Sequence, residues 1–248
     1  GGVELFLAGV QRMADEGADM VDIGGESTRP GSRAVPVNVE LKRVIPVIEA
    51  LSGKIKIPIS IDTKKARVAR EAVAAGAEIV NDVSALNSDR LMGKTISDCK
   101  AAVMLMHMRG NPGNMQQGNL EDKNLMGEIS DYLKKSCEKA IKAGVARESI
   151  VLDPGIGFGK TAEDNFRIIK NLSLLKALDL PIMIGTSRKS FIGKITGDEP
   201  GARMEGTAAT VAAAIMNGCH IVRVHDVAAM KKVALVTDAI VQAGQVAR

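Results

Sequence analysis

The sequence is poor in aromatic residues: its 248 residues include no tryptophan, one tyrosine and four phenylalanines. Proteins that bind single-stranded nucleic acid usually stack bases on aromatic side chains, so that class of function is disfavoured. A formal net charge of +4 is also too small and too dispersed to indicate a nucleic-acid surface. The mild positive charge is compatible with a small anionic substrate.

Cysteine is also scarce. Cys99, Cys137 and Cys219 lie far apart and in no metal-ligand spacing, and this odd, scattered count is typical of reduced thiols rather than of a disulfide framework. The chain contains no apolar run of the length that a membrane-spanning helix needs, and it shows no signal peptide. We therefore expect a cytoplasmic protein without a membrane partner.

The sequence does contain a regular alternation of two patterns. Short, almost continuously apolar runs rich in β-branched residues are typical of parallel strands that are covered on both faces. There are seven such runs: ADMVDIGG, KIPISIDT, AEIVNDVS, AAVMLMHM, SIVLDPG, LPIMIGTS and CHIVRVHD. Between and around them, helices are predicted at VELFLAGVQRMADEG, TKKARVAREAVAAG, EDKNLMGEISDYLKKSCEKAIKAG, ARMEGTAATVAAAIMNG and VAAMKKVALVTDAIVQAG, each ending in glycine.

Repeated strand–helix units predict a parallel sheet, either open and doubly wound or closed as a barrel. A TIM barrel has eight strands in about 250 residues, and here a helix comes before the first visible strand. We therefore expect an α/β fold, a (β/α)8 TIM barrel, with the first strand and first loop missing before Gly1. No linker-like change of composition divides the chain, which predicts a single domain over residues 1–248.

Most of the predicted strands end in residues that fit poorly in an apolar core. Asp22, Asp62, Asn81 and Asp153 close four of them, and each alone could be an ordinary turn former or helix cap. Independent turn formers need not converge, however, and the carboxyl ends of barrel strands are where such folds carry their chemistry. Together, Asp62, Asn81 and Asp153 could recognise a flat, nitrogen-rich ring with several N–H donors.

Cationic residues follow the last two strands, where many barrels bind phosphate. Arg188 and Lys189 come after the sixth strand, and Arg223 and His225 end the seventh with a spacing that puts both on one strand face. A guanidinium group offers a rigid fork for phosphate oxygens, and an ammonium group offers a mobile point charge. The sequence therefore predicts an anion pocket beside the acidic one.

The segment VLDPGIGFGKT (151–161) ends like a nucleotide-binding P-loop but departs from that pattern at one position. The pattern requires a glycine where Pro154 stands, and proline has no N–H to donate and a φ held at roughly −65°. A P-loop is therefore excluded, and Asp153 needs another explanation.

Eight segments resemble the dihydropteroate synthase family of pterin-binding enzymes, in that family's order from position 22 to position 227. They are DIGGESTRPGS, ISIDT, IVNDVSAL, LMHMRGNP, LDPGIGFGKT, GTSRKSFIG, EGTAAT and RVHDV. The pair GGESTRPG and SRKSFIG is highly specific. The resemblance implies a barrel that joins 6-hydroxymethyl-7,8-dihydropterin pyrophosphate to p-aminobenzoate, giving 7,8-dihydropteroate and pyrophosphate in folate biosynthesis.

The resemblance also implies roles for individual residues. The pterin would be bound by Asp62, Asn81, Val83, Met106, Asp153, Phe158, Gly185 and Lys189. The pyrophosphate would be bound by Arg223 and His225. p-Aminobenzoate, and sulfonamides competing with it, would be bound by Ser27, Thr28, Arg29, Pro30, Lys189 and Ser190. The catalytic set would be Asp62, Lys189, Arg223 and His225.

The implied reaction is a dissociative displacement, in which the bond to pyrophosphate breaks before the amine attacks. Mg²⁺ is the implied cofactor, but the family's metal-binding asparagine would lie before Gly1, so no metal ligand is assigned in this chain. Bacterial members of the family imply a homodimer.

Two other functions are compatible with the same fold. A methyltransferase that passes a methyl group from a folate to a corrinoid protein shares the barrel and the Asp/Asn pterin pocket, but it has no use for SRKS or for Arg223 and His225. A non-catalytic pterin-binding module would result if the first loop were truly absent. Dependence of product formation on p-aminobenzoate separates the synthase from the methyltransferase.

Overall fold

The computed structural model describes residues 2–28, 31–110 and 124–244, in which strands and helices alternate. The seven strands in these ranges are β1 (Val21–Gly24), β2 (Ile59–Asp62), β3 (Ile79–Asp82), β4 (Ala102–Met106), β5 (Ile150–Asp153), β6 (Met183–Ile184) and β7 (Ile221–Val222). Each lies inside one of the apolar runs identified in the sequence, so the predicted strands are confirmed.

The same described ranges contain nine α-helices: α1 (Gly2–Asp15), α2 (Val37–Leu51), α3 (Ala66–Ala75), α4 (Met92–Cys99), α5 (Leu125–Lys142), α6 (Ala162–Lys170), α7 (Ser190–Thr196), α8 (Met204–Met216) and α9 (Val227–Gln242). The sequence patterns had singled out five of them. The other four gave weak signals because α4, α6 and α7 have fewer than ten residues and α2 contains Pro46.

The strands are parallel and follow one another in chain order. The first five form one sheet in the order β1-β2-β3-β4-β5, and β6 pairs with β7. A bridge between Leu152 and Ile182 joins the two groups. This sequential order is that of a barrel, whereas a doubly wound sheet reverses its order at a switch point. A cleft of about 530 Å³ separates β1 from β7, and among the described residues no strand pairs with the facing edges.

The register of the sheet brings polar residues together at one edge. Gly24 pairs with Asp62, Asp62 with Asn81, and Met106 with Asp153. Because parallel strands share one direction, their carboxyl ends meet at the same side of the sheet. The sheet therefore places the acidic and amide groups predicted from the sequence next to one another.

The core forms between the sheet and the helices that cover it. Ile61, Leu105 and Leu152 are completely buried, as expected of central parallel strands with apolar neighbours on both faces. At the edge of this core, Thr161 and Asp164 form a reciprocal capping box that fixes the start of α6. In the described part of the chain, no helix is both long and apolar enough to cross a membrane.

Candidate active site

A cavity of about 910 Å³ opens at the carboxyl ends of the strands. All the described residues that the sequence analysis assigned to substrates line it: Ser27, Thr28, Asp62, Asn81, Val83, Met106, Asp153, Phe158, Gly185, Lys189, Ser190, Arg223 and His225. Arg29 and Pro30 lie outside the described residues. Residues at or just beyond the ends of all seven strands thus meet in one place.

The acidic side of the cavity is largely desolvated. Asn81 and Asp153 are 3% and 6% exposed, and the side chain of Asp62 is 12% exposed. Burial, and after it the negative charge of Asp22, raise the pKa of Asp62 to about 8. Burial also raises the pKa of Asp153. Buried carboxyl groups of this kind are stabilised as carboxylates when a ligand donates N–H groups to them.

Asp153 begins a tight turn. Its Oδ1 accepts a hydrogen bond of 2.7 Å from the backbone N–H of Gly155, which has a φ of +72°. A Cβ atom on Gly155 would lie 1.9 Å from the carbonyl oxygen of His107. Only glycine fits this conformation and this close approach. The turn at Pro154 and Gly155 therefore packs the loop after β5 against the end of β4.

Lys160 occupies the position that the lysine of a P-loop would have in the sequence. Its side chain is buried, and 3% of the residue surface is exposed. Its Nζ donates to the carbonyl oxygens of Gly155 (2.9 Å) and Phe158 (3.0 Å) and lies 3.0 Å from Nδ1 of His107. Burial lowers the pKa of Lys160 to about 7 and that of His107 to about 2, so the neutral imidazole can accept at Nδ1. This lysine holds the loop that presents Phe158 to the cavity.

Lys189 carries its ammonium group into the cavity. The Nζ atom donates to the carbonyl oxygen of Ile156 at 2.9 Å and lies 4.4 Å from the ring centroid of Phe158. Burial lowers the pKa of Lys189 to about 8, against the attraction of Asp153. The residue therefore links the start of α7 to the loop after β5 and brings a cation close to the acidic side of the site.

Asp22 is a site residue to which the sequence analysis gave no role. It lies within β1 rather than at its end, and its Oδ2 accepts hydrogen bonds from Arg223 Nε (2.7 Å) and Asn81 Nδ2 (3.0 Å). Nη2 of Arg223 is 3.6 Å from Oδ2 of Asp62. Burial opposes the charge of Arg223, but the two carboxylates outweigh it and raise the pKa of the guanidinium group. The sequence contains a signal for this role: a carboxylate inside an apolar strand is buried, and a buried charge needs a partner.

The cationic side of the cavity differs in one respect from the sequence prediction. His225 lines the cavity, and its Nδ1 lies 2.9 Å from Oγ of Ser187. Arg188 also reaches the cavity wall, but its Nε donates to Oδ2 of Asp226 at 3.0 Å. The charge of Arg188 is therefore already compensated by a carboxylate, so Lys189 is the more suitable of the two cations for binding an anion.

The segment after β1 forms another part of the wall. Ser27 and Thr28 line the cavity, and Oγ of Ser32 donates to the carbonyl oxygen of Ser27 at 2.6 Å. Nη1 of Arg43 donates to the carbonyl oxygen of Gly25 at 2.8 Å. Side-chain hydrogen bonds thus hold the described parts of this segment on both sides of the cavity-lining residues.

The described residues do not form a metal site by themselves. They contain no group of three or more histidine, cysteine, aspartate or glutamate side chains arranged to hold a metal ion. Asp22 and Asp62 both face Arg223, so a guanidinium group already compensates them. Mg²⁺ commonly takes one or two carboxylates together with water and substrate phosphates, and these side chains do not fit the ion without such additional ligands.

Comparison with known proteins finds relatives that belong to one family of enzymes. The model of the family described as pterin binding enzyme matches residues 3–225. The dihydropteroate synthase of Synechocystis is 48% identical over 92% of this chain and 79% of its own length. A structure of Yersinia pestis dihydropteroate synthase in a sulfonamide drug complex has 38% identity and a TM-score of 0.92, over 96% of this chain and 86% of that one.

The dihydropteroate synthase of Xanthomonas albilineans, solved in complex with 7,8-dihydropteroate, has 39% identity and a TM-score of 0.87 over 97% of this chain and 88% of that one. These matches confirm the TIM-barrel fold class that the sequence predicts. They extend over the cavity and every strand that contributes to it. The chain therefore belongs to the pterin-binding enzymes and, among them, to the dihydropteroate synthase family.

Proposed function

We infer that this chain catalyses the condensation of 6-hydroxymethyl-7,8-dihydropterin pyrophosphate with p-aminobenzoate, releasing 7,8-dihydropteroate and pyrophosphate. The observation that carries this inference is the meeting of two chemically different pockets in one cavity. A buried acidic and amide side and the cationic residues Arg223 and His225 line the same cavity of about 910 Å³. A ring with N–H donors and a pyrophosphate tail needs both sides at once.

The pterin ring is assigned to the acidic side. Asp62 and Asp153 would accept N–H groups of the ring as carboxylates, and Asn81 can both donate and accept. Val83, Met106, Phe158 and Gly185 line the same cavity and would contact the ring faces. Lys189 lies over Phe158 and close to Asp153, where it would donate to a ring acceptor.

The pyrophosphate is assigned to Arg223 and His225. Asp22 holds Arg223 through Nε, and Nη2 lies 3.6 Å from Oδ2 of Asp62, so phosphate oxygens would be bound by the outer Nη edge of the guanidinium group. Backbone and side-chain contacts with Ser187 orient His225 toward the same region. Charge on the departing pyrophosphate would thus develop beside preorganised donors, a large source of transition-state stabilisation in enzymes.

p-Aminobenzoate is assigned to Thr28, Lys189 and Ser190 on the cavity wall, and to Arg29 and Pro30, which lie outside the described residues; sulfonamides would compete with it there. Thr28 and Ser190 both line the cavity. The Yersinia pestis relative has been solved as a sulfonamide drug complex, which supports sulfonamide binding by this chain.

The chemistry is a dissociative displacement at the exocyclic methylene. The C–O bond to pyrophosphate breaks, and carboxylates hydrogen-bonded to the pterin stabilise the positive charge on the methylene and ring. The neutral amine of p-aminobenzoate then forms the new C–N bond and loses a proton to solvent. No strong general base is required because the aromatic amine is already nucleophilic.

Mg²⁺ is proposed as the cofactor that accompanies pyrophosphate. The described side chains do not provide its ligand set, so the pyrophosphate oxygens would supply most of its coordination.

Three further proposals concern the setting of this activity. Residues 1–248 form one domain, the protein works in the cytoplasm, and two copies form a homodimer.

Leu235, Val236 and Ile240 expose 58–62% of their surface on α9, which favours a contact between copies on this face. Sedimentation of the wild type and of Val236→Glu tests this: a monomeric wild type, or a variant that dimerises equally well, contradicts this interface.

The experiment that tests the function is pyrophosphate release from the dihydropterin substrate with Mg²⁺, with and without p-aminobenzoate. Release that requires p-aminobenzoate supports the synthase activity. Methyl transfer from a methylated folate to a corrinoid, without such release, would favour the methyltransferase. Pterin binding with neither reaction would favour a non-catalytic module.

A further inference from the structure

Glu26 and Lys65 join the loop after β1 to the loop after β2. Nζ of Lys65 donates to Oε2 of Glu26 at 2.6 Å and to the carbonyl oxygen of Val35 at 2.7 Å. The same Oε2 accepts from the backbone N–H of Val35 at 2.7 Å. One ammonium group therefore holds both ends of the segment that runs from residue 26 to residue 35.

Lys65 is itself anchored in the core. It donates to Glu40, which is 1% exposed, and Glu40 Oε1 accepts from Oγ1 of Thr63 at 2.7 Å. Lys64 pairs with the other oxygen of Glu26 at 2.9 Å. Two carboxylates thus face two ammonium groups, and the cluster is electrically balanced.

The cluster is well shielded, and its central pair Glu26 and Lys65 is ionised near neutral pH. The side chains of Lys65 and Glu26 are 17% and 9% exposed. Burial raises the pKa of Glu26, but hydrogen bonds from Lys65, Val35 and Lys64 outweigh it and lower the pKa to about 2. Removing one partner leaves a desolvated charge, which costs much more than removing an exposed pair.

The cluster meets the cavity at Glu26, whereas its inner members Glu40 and Thr63 lie next to Asp62 on the pterin side, where the charge of Glu40 helps to raise the pKa of Asp62. Ser27 and Thr28, the two residues directly after Glu26, line the cavity wall. Glu26 also reaches the cavity, while the pterin-side residues Asn81 and Asp153 lie on other strands. A change at Glu26 therefore acts first on the orientation of Ser27 and Thr28.

We propose that Glu26 and Lys65 are positioning residues for p-aminobenzoate: they fix the segment that presents Ser27 and Thr28, and loss of the Glu26 carboxylate acts on this segment rather than on the pterin pocket. This inference rests on the proposed function, because it takes the cavity wall at Ser27 and Thr28 as part of the p-aminobenzoate site. Neither residue is required to touch the reacting atoms.

Glu26→Gln is the main test. The amide would keep the shape of the side chain, but it would place an N–H group against Lys64 or Lys65 and could not accept from both lysines and Val35. We expect the KM for p-aminobenzoate to rise at least fivefold, while kcat and the KM for the dihydropterin substrate stay within twofold of wild type. Equilibrium titration with the dihydropterin pyrophosphate alone should give an unchanged Kd.

Glu71→Gln is the matched control. It removes the same charge from an exposed i,i+4 pair with Arg67 on α3 and should leave both KM values unchanged. Lys64→Gln is the second test variant, since Lys64 is the more exposed lysine of the cluster at 22%. It should shift the KM for p-aminobenzoate in the same direction by a smaller factor, even if Glu26→Gln does not fold.

The outcomes separate this inference from the proposed function. A folded Glu26→Gln or Lys64→Gln variant with an unchanged KM for p-aminobenzoate overturns the inference alone, as does an equal rise in both KM values. A wild-type protein without p-aminobenzoate-dependent pyrophosphate release overturns the proposed function and this inference with it.

Discussion

Arg223 and Asp22, which are separated by 201 positions in the chain, form a 2.7 Å hydrogen bond between Nε and Oδ2. The contact joins the segment after β7 to β1 and therefore spans the two ends of the series of strands. Because Nη2 of the same arginine lies 3.6 Å from Asp62, the guanidinium group sits between two carboxylates. The cationic and acidic sides of the cavity are thus in direct electrostatic contact.

Arg223→Ala should lower kcat by ~10²–10³-fold, the usual effect of removing a preorganised donor from a developing negative charge. Pyrophosphate release at saturating substrates measures this. Arg12→Ala, which removes an arginine whose side chain is 71% exposed on α1, should retain full turnover. Undiminished turnover in Arg223→Ala would remove the residue from the mechanism.

Asp62→Asn should abolish most activity but stabilise the folded protein at pH 8. The folded-state pKa of about 8 lies above the ordinary value of 3.8, so the folded state binds more protons than the unfolded state between these values. The free energy of unfolding of the wild type therefore falls as pH rises through this window. The asparagine variant does not lose this stability, because its amide does not ionise.

Thermal or urea unfolding at pH 5.5 and pH 8 measures the effect of Asp62→Asn. We expect a gain of ~1–2 kcal/mol at pH 8, within the range seen when a strained functional group is removed, and a smaller gain at pH 5.5. An equal gain at both pH values would contradict an origin in the ionisation of Asp62.

The pH dependence of kcat/KM for the dihydropterin substrate should be bell-shaped with a maximum near pH 8. Asp62 must lose its proton to accept ring N–H groups, and its pKa is raised to about 8. Lys189 must keep its proton, and its pKa is lowered to about 8. In Lys189→Arg the alkaline limb should disappear, since the guanidinium group stays charged; an unchanged alkaline limb would exclude Lys189 as its source.

Lys160→Met should destabilise the fold by ~2–4 kcal/mol, because the buried carbonyl oxygens of Gly155 and Phe158 lose their donor. We also expect a higher KM for the dihydropterin substrate, since Phe158 lines its side of the cavity. Chemical denaturation and steady-state kinetics measure the two effects. Lys170→Met, at an exposed position on α6, is the control. If Lys160→Met were as stable as Lys170→Met, Lys160 would not stabilise this loop.

Gly155→Ala and Gly197→Ala should differ although both glycines have positive φ values, +72° and +79°. A Cβ at Gly197 meets no atom within 4 Å, whereas at Gly155 it would lie 1.9 Å from the carbonyl oxygen of His107. We expect a loss of ~1 kcal/mol for Gly197→Ala from backbone strain alone and at least ~3 kcal/mol for Gly155→Ala, which must also displace the backbone. Equal losses of unfolding free energy would show that the close approach costs nothing.

The sequence by itself determined the strands, because strands buried on both faces are short, almost continuous apolar runs rich in β-branched residues. It also identified many of the residues that line the cavity, since strand ends and family motifs are both local features of the chain. The short helices α4, α6 and α7 stayed hidden, because fewer than ten residues carry little helical periodicity.

Only the tertiary structure decided which of these residues contact one another. The pairing of Asp22 with Arg223, the burial of Lys160 under Gly155 and Phe158, and the joining of two loops by Lys65 all connect positions that no local pattern relates. The pKa values of Asp62 and Lys189 depend on that packing as well, since desolvation and neighbouring charges arise only when distant segments come together. Sequence patterns therefore predict which chemical groups the site contains, whereas folding determines their partners and their charge.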